Sequence, residues 1–252
     1  MKKFIALFSV LMLVGVFVQD AQAQEKEELL WLMADEVVKP EMIEQYYEVS
    51  KELAELCKAE NFPYSYYVWV SQPFHYSLSY PLEEMNDITK IEEAWGEIVE
   101  KYGAEKFKRF EECIESQTNK VMVGLMNLSY KPDSLQLSEE EMAFCYWQEV
   151  SVKKGSEKAI EELFKKATAI MKEKGTEIGT YIGKGKTGYD QPVYFAWYYA
   201  KDQIDYLEQE KKFAEMVGED WKPINGEIVK HIKGITNTNF WWIKDLSYQK
   251  EE

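Results

Sequence analysis

The feature that most constrains the fold of this chain of 252 residues is an internal repeat. Asn-Leu-Ser-Tyr at 127–130 returns as Asp-Leu-Ser-Tyr at 245–248, and Thr-Asn at 118–119 returns at 236–237. Between these marks the hydrophobic periodicity predicts the same order of elements twice: strand, helix, strand, strand, helix, strand. A repeat of this length predicts a duplicated structural unit.

Periodicity, proline and glycine give the predicted bounds of these elements. We assign residues 24–130 to the first unit, residues 131–140 to a polar linker and residues 141–252 to the second unit. In the first unit the predicted strands are 30–38, 64–70, 74–80 and 121–130, and the predicted helices are 40–60 and 88–116, the latter interrupted at Gly103. In the second unit the strands are 142–152, 180–185, 192–200 and 240–248, and the helices are 156–174 and 202–233, the latter with a break near Pro223.

This order of elements is the ferredoxin-like arrangement, an antiparallel sheet with both helices on one face. A sheet with one face in water should alternate apolar and polar residues, but segments 121–126 and 193–199 are apolar on both faces. Each sheet therefore needs a second cover, and the simplest one is the other sheet. The sequence predicts an α+β chain of two tandem ferredoxin-like βαββαβ units whose antiparallel sheets pack as an intramolecular barrel.

Over residues 29–248 this architecture resembles the dimeric α/β-barrel superfamily fused into one chain. That superfamily includes antibiotic-biosynthesis monooxygenases, NIPSNAP-type proteins and chlorite-dismutase-like haem proteins, so the resemblance implies a monooxygenase-like activity as one possibility. Haem-binding members carry a histidine near the junction of the second unit's first helix and next strand. Residues 172–177 at that junction contain no histidine, and the Gly-x-x-Asp-Gly motif of dye peroxidases is absent. We therefore predict no cofactor.

The N-terminus has the three parts of a secretory signal peptide. Lys2 and Lys3 precede an apolar run at 4–18, and Ala21-Gln22-Ala23 forms a small-x-small cleavage site. The apolar run is short for a membrane span. The sequence predicts a signal peptide over residues 1–23, cleavage after Ala23, a periplasmic or secreted protein, and no stable membrane insertion after cleavage.

Charge and cysteine content exclude some classes of function. Forty-five acidic residues against 30 basic ones give a net charge of -15, which repels nucleic-acid phosphates. Two histidines and three cysteines show no metal-ligand spacing, so no metal site is predicted. Cys57, Cys113 and Cys145 are either buried apolar residues or, for the first two, a disulfide between neighbouring helices.

Three titratable residues are candidates for catalysis. His75 follows the predicted turn at Pro73, and a histidine there can act as an acid or a base. Glu36 and Glu149 align with each other at an offset of 113 residues in the first strand of each unit, among apolar neighbours. A carboxylate buried in such a sheet would have a raised pKa. The alternative for all three is a charged or polar residue at a solvated strand end.

Aromatic residues crowd the central strands of both units, and they form either a core or a pocket. We predict a small apolar or aromatic ligand in a pocket between sheet and helices. The first alternative is a cofactor-independent monooxygenase-like enzyme, and the second is a structural or partner-binding module with filled pockets. The candidate ligand-binding residues are Tyr66, Trp69, Tyr76, Tyr194 and Trp197.

Overall fold

The computed structural model describes residues 28–71, 74–132, 137–138 and 141–250. The predicted signal peptide and much of the predicted linker lie outside the described residues. Within the described part of the chain, no helix is long and apolar enough to cross a membrane.

The described residues form eight strands and five α-helices, which follow each other in the predicted order. The first half contains β1 (Glu28–Val38), α1 (Ile43–Ala59), β2 (Tyr67–Val70), β3 (His75–Leu82), α2 (Asp87–Tyr102), α3 (Ala104–Cys113) and β4 (Ile114–Leu125). The second half contains β5 (Phe144–Val152), α4 (Glu157–Lys174), β6 (Tyr181–Thr187), β7 (Val193–Ala200), α5 (Gln203–His231) and β8 (Ile232–Trp242). Gly103 separates α2 from α3 and Gly175 ends α4 in the left-handed conformation, both at predicted positions.

The strands form a closed antiparallel barrel in the order β1-β3-β2-β8-β5-β7-β6-β4. Strands of the first half are contiguous in this order, and so are those of the second half. The pairs β2–β8 and β4–β6 join the two halves. Because each neighbouring pair is antiparallel, β1 and β5 lie on opposite sides of the barrel and run in the same direction.

Both faces of the barrel wall are covered, as the apolar segments required. On the outer face, α1 and its neighbours pack on the first half around Tyr46, Val49 and Leu53. On the second half, α4 packs through Ile160 and Phe164. A third apolar cluster lies inside the barrel and contains Met122, Cys145, Phe195 and Trp197.

Two strands begin earlier than predicted, and one helix continues where a break was predicted. β4 begins at Ile114 and β8 at Ile232, whereas the sequence predicted 121 and 240, because their first residues are polar and lack an apolar period. α5 continues through Pro223. The hydrogen bond that proline removes is outweighed there by the packing of Val217 and Ile224, which are both buried.

The early parts of β4 and β8 have a strand neighbour on one side. β4 pairs with β1 from Ile114 onwards but with β6 only from Val121, and β8 pairs with β5 from Ile232 but with β2 only at Trp241 and Trp242. Both segments lie at the end of the barrel where β1 and β5 finish. In the described part of the chain, this rim therefore carries two half-paired strand edges.

All three cysteines are free and buried. Cys57 belongs to the first core, where burial raises the pKa of its thiol to about 12. Of the two alternatives, the structure therefore shows buried free cysteines and not a Cys57–Cys113 disulfide.

Candidate functional site

A cavity of about 390 Å³ lies inside the barrel. We call it the lumen. It is on the opposite face of the sheets from the helices, whereas the sequence placed the pocket between sheet and helices. Side chains of alternate residues of the strands line it, because successive residues of a strand point to opposite faces. Its aromatic lining is Trp31, Trp69, Trp147, Tyr189, Phe195, Trp197, Tyr199 and Phe240.

The lumen is open and polar at one end and closed and apolar deeper inside. Phe195 and Trp197 are buried in its wall. Among the described residues, its rim contains four polar residues that are exposed to solvent. They come from β3, β4 and β8: His75, Ser116, Thr118 and Thr236. A ligand can therefore reach the aromatic interior through a polar mouth.

The aromatic rings of the second half form a continuous wall. Trp147 stacks on Trp197 with ring centroids 5.2 Å apart, and it also packs against Phe195 at 4.9 Å. Tyr181 extends the stack on Trp197 at 5.7 Å. Such a wall is a large, rigid apolar surface, which suits an aromatic ligand.

An ion pair occupies the first-half side of the lumen. Lys120 Nζ lies 2.8 Å from Asp35 Oδ2, and the hydroxyl of Ser77 donates to Asp35 Oδ1 at 2.7 Å. The lysine ammonium also lies 5.3 Å from the ring centroid of Tyr189. Asp35 and Lys120 thus largely neutralise each other within the lumen.

Glu149 faces the lumen from the opposite side, level with Asp35. Val38 donates its N–H to Phe74 and pairs with Ile114, and Val152 donates to Pro192 and pairs with Ile232, so these two valines are equivalent. Counting back three residues from each gives Asp35 and Glu149. The sequence alignment of Glu36 with Glu149 was therefore wrong by one residue, and a shift of one residue exchanges the faces of a strand.

Tyr189 also lines the lumen. Burial raises the pKa of its hydroxyl, and the charges of Asp35 and Glu149 raise it further. Its ring packs on Phe195 at 4.9 Å. Among the residues that the structure describes, no side chain donates a hydrogen bond to the Glu149 carboxylate or forms an ion pair with it.

Glu36 is 3% exposed and bonds on the helix side of the sheet. Its carboxylate accepts hydrogen bonds from the Tyr46 hydroxyl at 2.7 Å and from Gln117 Nε2 at 3.3 Å. Burial raises the pKa of Glu36 to about 7, against the opposing effect of the Tyr46 hydrogen bond, and the charge of Asp35 adds to the rise. Glu36 is thus a buried acid beneath α1.

The predicted ligand-binding residues divide between the two faces. Trp69 and Trp197 line the lumen. Tyr76 lies in the first helix-side core, where its ring packs against Tyr46 at 4.6 Å. Tyr66 lies in the first helix-side core, and Tyr194 lies in the second, where its hydroxyl donates to Glu161.

Several residues of the lumen were not predicted from the sequence, although one of their strands was. Trp31, Met33, Asp35 and Val37 alternate along β1, so a period of two counted from Trp31 would have found Asp35. Lys120 precedes the predicted start of its strand, and Tyr189 follows β6 in a loop. Only the fold brings these residues to the lumen.

A second cavity, of about 180 Å³, lies at the junction of α4, β6 and α5. Thr176 borders it and corresponds to Phe62, because their N–H groups bond to equivalent residues at the ends of α4 and α1. Phe62 packs against Trp95 at 5.0 Å, and this contact fills the corresponding space in the first half. The Thr176 hydroxyl is buried and has no partner among the described residues.

The residues at this second cavity do not fit a histidine-ligated haem. Neither histidine nor cysteine is among the described residues that line it. His75 lies at the rim of the lumen, and His231 lies at the end of α5, 3.2 Å from Ser156. The described residues also contain no group of three or more potential metal ligands. We therefore assign no step to a haem.

The sequence matches no family model and no curated protein. Solved structures do match in fold. An anthrone oxidase-like protein aligns with a TM-score of 0.57 and 12% identity over 87% of this chain and 92% of its own. A candidate monooxygenase from Lactobacillus acidophilus aligns with a TM-score of 0.54 and 8% identity over 89% of this chain and 97% of its own.

A chlorite dismutase from Candidatus Nitrospira defluvii aligns with a TM-score of 0.52 and 8% identity, over 89% of this chain and 94% of its own. The chain shares its fold with these three proteins. Identities this low show the fold alone, and function must be argued from the site.

Proposed function

We propose that this protein binds a small aromatic ligand in the lumen. The wall of Trp147 and Trp197 carries the proposal, because it lines a cavity of about 390 Å³ with large, rigid aromatic rings. Offset-stacked or edge-to-face contacts with such rings favour an aromatic ligand beyond the burial of its area. The polar rim supplies hydrogen-bonding groups that orient one end of the ligand, as in most small-molecule sites.

The ligand proposal predicts that the aromatic wall contributes directly to affinity. We expect Trp147→Leu to weaken the binding of 2-naphthol about tenfold, because the variant loses an aromatic stack of about 1 kcal/mol and leaves a looser fit. Isothermal titration calorimetry measures both affinities. Trp241→Leu is the matched control, since Trp241 packs on Phe144 on the outer face of β8. Equal losses in the two variants would reject the lumen as the site.

A second candidate function is a monooxygenase-like enzyme that acts on the bound ligand. The structural neighbours favour it, since a candidate monooxygenase and an anthrone oxidase-like protein share the fold. In such a reaction a base removes a proton from a CH₂ group that is activated by adjacent aromatic rings. The carbanion then gives its electrons to O₂, so that one oxygen atom ends in a product ketone and the other in water.

His75 is placed for the proton transfer, because it borders the lumen and is exposed at the mouth. We expect the protein to speed O₂ consumption in the presence of anthrone, and His75→Gln to slow it by about a hundredfold, a common effect of losing a general base. An oxygen electrode measures the rate, and calorimetry checks that the variant still binds 2-naphthol. A rate equal to that without protein would reject the enzymatic function.

The organisation and location of the chain belong to the same proposal. We propose that residues 24–130 and 141–252 are tandem ferredoxin-like units that arose by duplication, supported by the repeated sequence marks and the repeated order of elements. We also propose that the chain is exported and cleaved after Ala23, which the basic residues, apolar run and small-x-small site support.

A further inference from the structure

We infer that the lumen selects ligands that carry a positive charge next to an aromatic ring, with Glu149 as the counter-ion. This inference rests on the proposed binding of an aromatic ligand and names its chemical class. It follows from a charge asymmetry between two equivalent sides of the barrel.

The two lumen carboxylates have different partners. Asp35 is neutralised by Lys120 at 2.8 Å and accepts a hydrogen bond from Ser77. On the other side, Thr238 occupies the position equivalent to Lys120. Lys120 pairs with Met33 on β1, two residues before Asp35, and Thr238 pairs with Trp147 on β5, two residues before Glu149. Glu149 consequently faces the lumen with no cation beside it among the described residues.

The surroundings of Glu149 suit an organic cation. Trp147 is the preceding inward-facing residue on β5, and Phe195 pairs with Glu149 on β7. A cation over the face of a tryptophan is attracted by the ring electrons, most strongly where water is excluded. A ligand ammonium at this place would therefore meet a carboxylate and an aromatic face together.

The other charges near the lumen also favour a positively charged ligand. Asp35 and Glu149 carry two negative charges, and Lys120 supplies one positive charge that is already engaged. His75 lies at the exposed rim. The net charge of the whole chain is -15, which raises the local concentration of cations and repels anions. An anionic ligand would have to break the Asp35–Lys120 pair to find a partner.

Three probes of nearly equal shape test the inference: 2-naphthylmethylamine, 2-naphthalenemethanol and 2-naphthoate. We expect calorimetry to give the amine at least tenfold tighter binding than the alcohol, and the naphthoate the weakest binding. Glu149→Gln should reduce the ratio of amine to alcohol affinity to near one, because the amide carries no charge to pair with the ammonium. Glu215→Gln removes an exposed carboxylate of α5 and should preserve the ratio.

The outcomes distinguish a failure of the charge inference from a failure of the proposed function. Naphthoate binding as tightly as the amine, or an amine preference that survives in Glu149→Gln, would overturn the charge inference while leaving the aromatic site intact. Binding of the alcohol without any preference for the amine would do the same. Failure of all three probes to bind would instead overturn the proposed function. Thermal unfolding of both variants verifies that each is folded before its affinity is compared.

Discussion

Glu36→Gln is expected to stabilise the folded protein by up to about 3 kcal/mol at pH 9 and by less than about 1 kcal/mol at pH 5. The pKa of Glu36 rises from 4.5 to about 7 in the folded protein, chiefly because burial disfavours the charged carboxylate. The folded state therefore binds a proton more tightly than the unfolded state. Stability is lost as the pH rises through the window from 4.5 to about 7, and the loss persists above it.

Glutamine keeps the shape of the protonated acid and its acceptor for the Tyr46 hydroxyl, but it never ionises. Urea unfolding of the natural protein and the variant at pH 5, 7 and 9 gives the difference directly. Glu161→Gln is the control with the opposite sign. Burial acts to raise the pKa of Glu161, but the Tyr194 hydroxyl and the Lys184 ammonium outweigh it and hold the pKa below its usual value. Its replacement should therefore cost stability at neutral pH. A Glu36→Gln effect that does not change with pH would mean that the folded protein keeps this carboxylate in water.

Phe62→Ala is expected to destabilise the protein by about 3–5 kcal/mol, the usual loss for a buried phenylalanine. Phe62 is 1% exposed and contacts the rings of Tyr66, Trp95 and Tyr248 in the first core. Truncation would leave a cavity among rings that are held by the sheet and by α2. Denaturant unfolding at neutral pH measures the loss.

Phe213→Ala is the comparison within the same chain, because Phe213 corresponds to Trp95 but borders the open second cavity and is only partly buried. Its ring packs edge-on against Trp221 at 5.1 Å. We expect its truncation to cost less than half as much as that of Phe62. Equal costs would show that the second cavity closes in solution and that both halves have equally packed helix-side cores.

The order of elements could be predicted from the sequence because each element has its own periodicity or stop signal. The helical spacing of Tyr46, Leu53 and Cys57 predicts α1, and Gly175 predicts the end of α4. The early parts of β4 and β8 carried no such signal. Their residues are polar and exposed, and they are strands only because β1 and β5 hydrogen-bond to them along one edge.

The site was harder to predict than the fold. The face of the sheet to which a side chain points, and the residue that it contacts, both depend on the register of the strands. Glu36 and Asp35 are neighbours in sequence, yet one bonds beneath a helix and the other pairs with a lysine in the lumen. A mismatch of one residue between the repeats was enough to choose the wrong one of the two. The pairing of Asp35 with Lys120 joins residues 85 positions apart, which no local pattern reveals.

The half-paired edges of β4 and β8 at the polar rim have a consequence for the kinetics of ligand exchange. Residues 114–120 and 233–240 are bonded to a strand on one side, so they can move away from the opposite wall without breaking a ladder hydrogen bond to β6 or β2. Within the described part of the chain, a ligand can then pass these edges without an unfolding step. The residence time of a bound molecule is set by the rings and charges that it touches inside the barrel, so tighter binding appears as slower release rather than as faster capture.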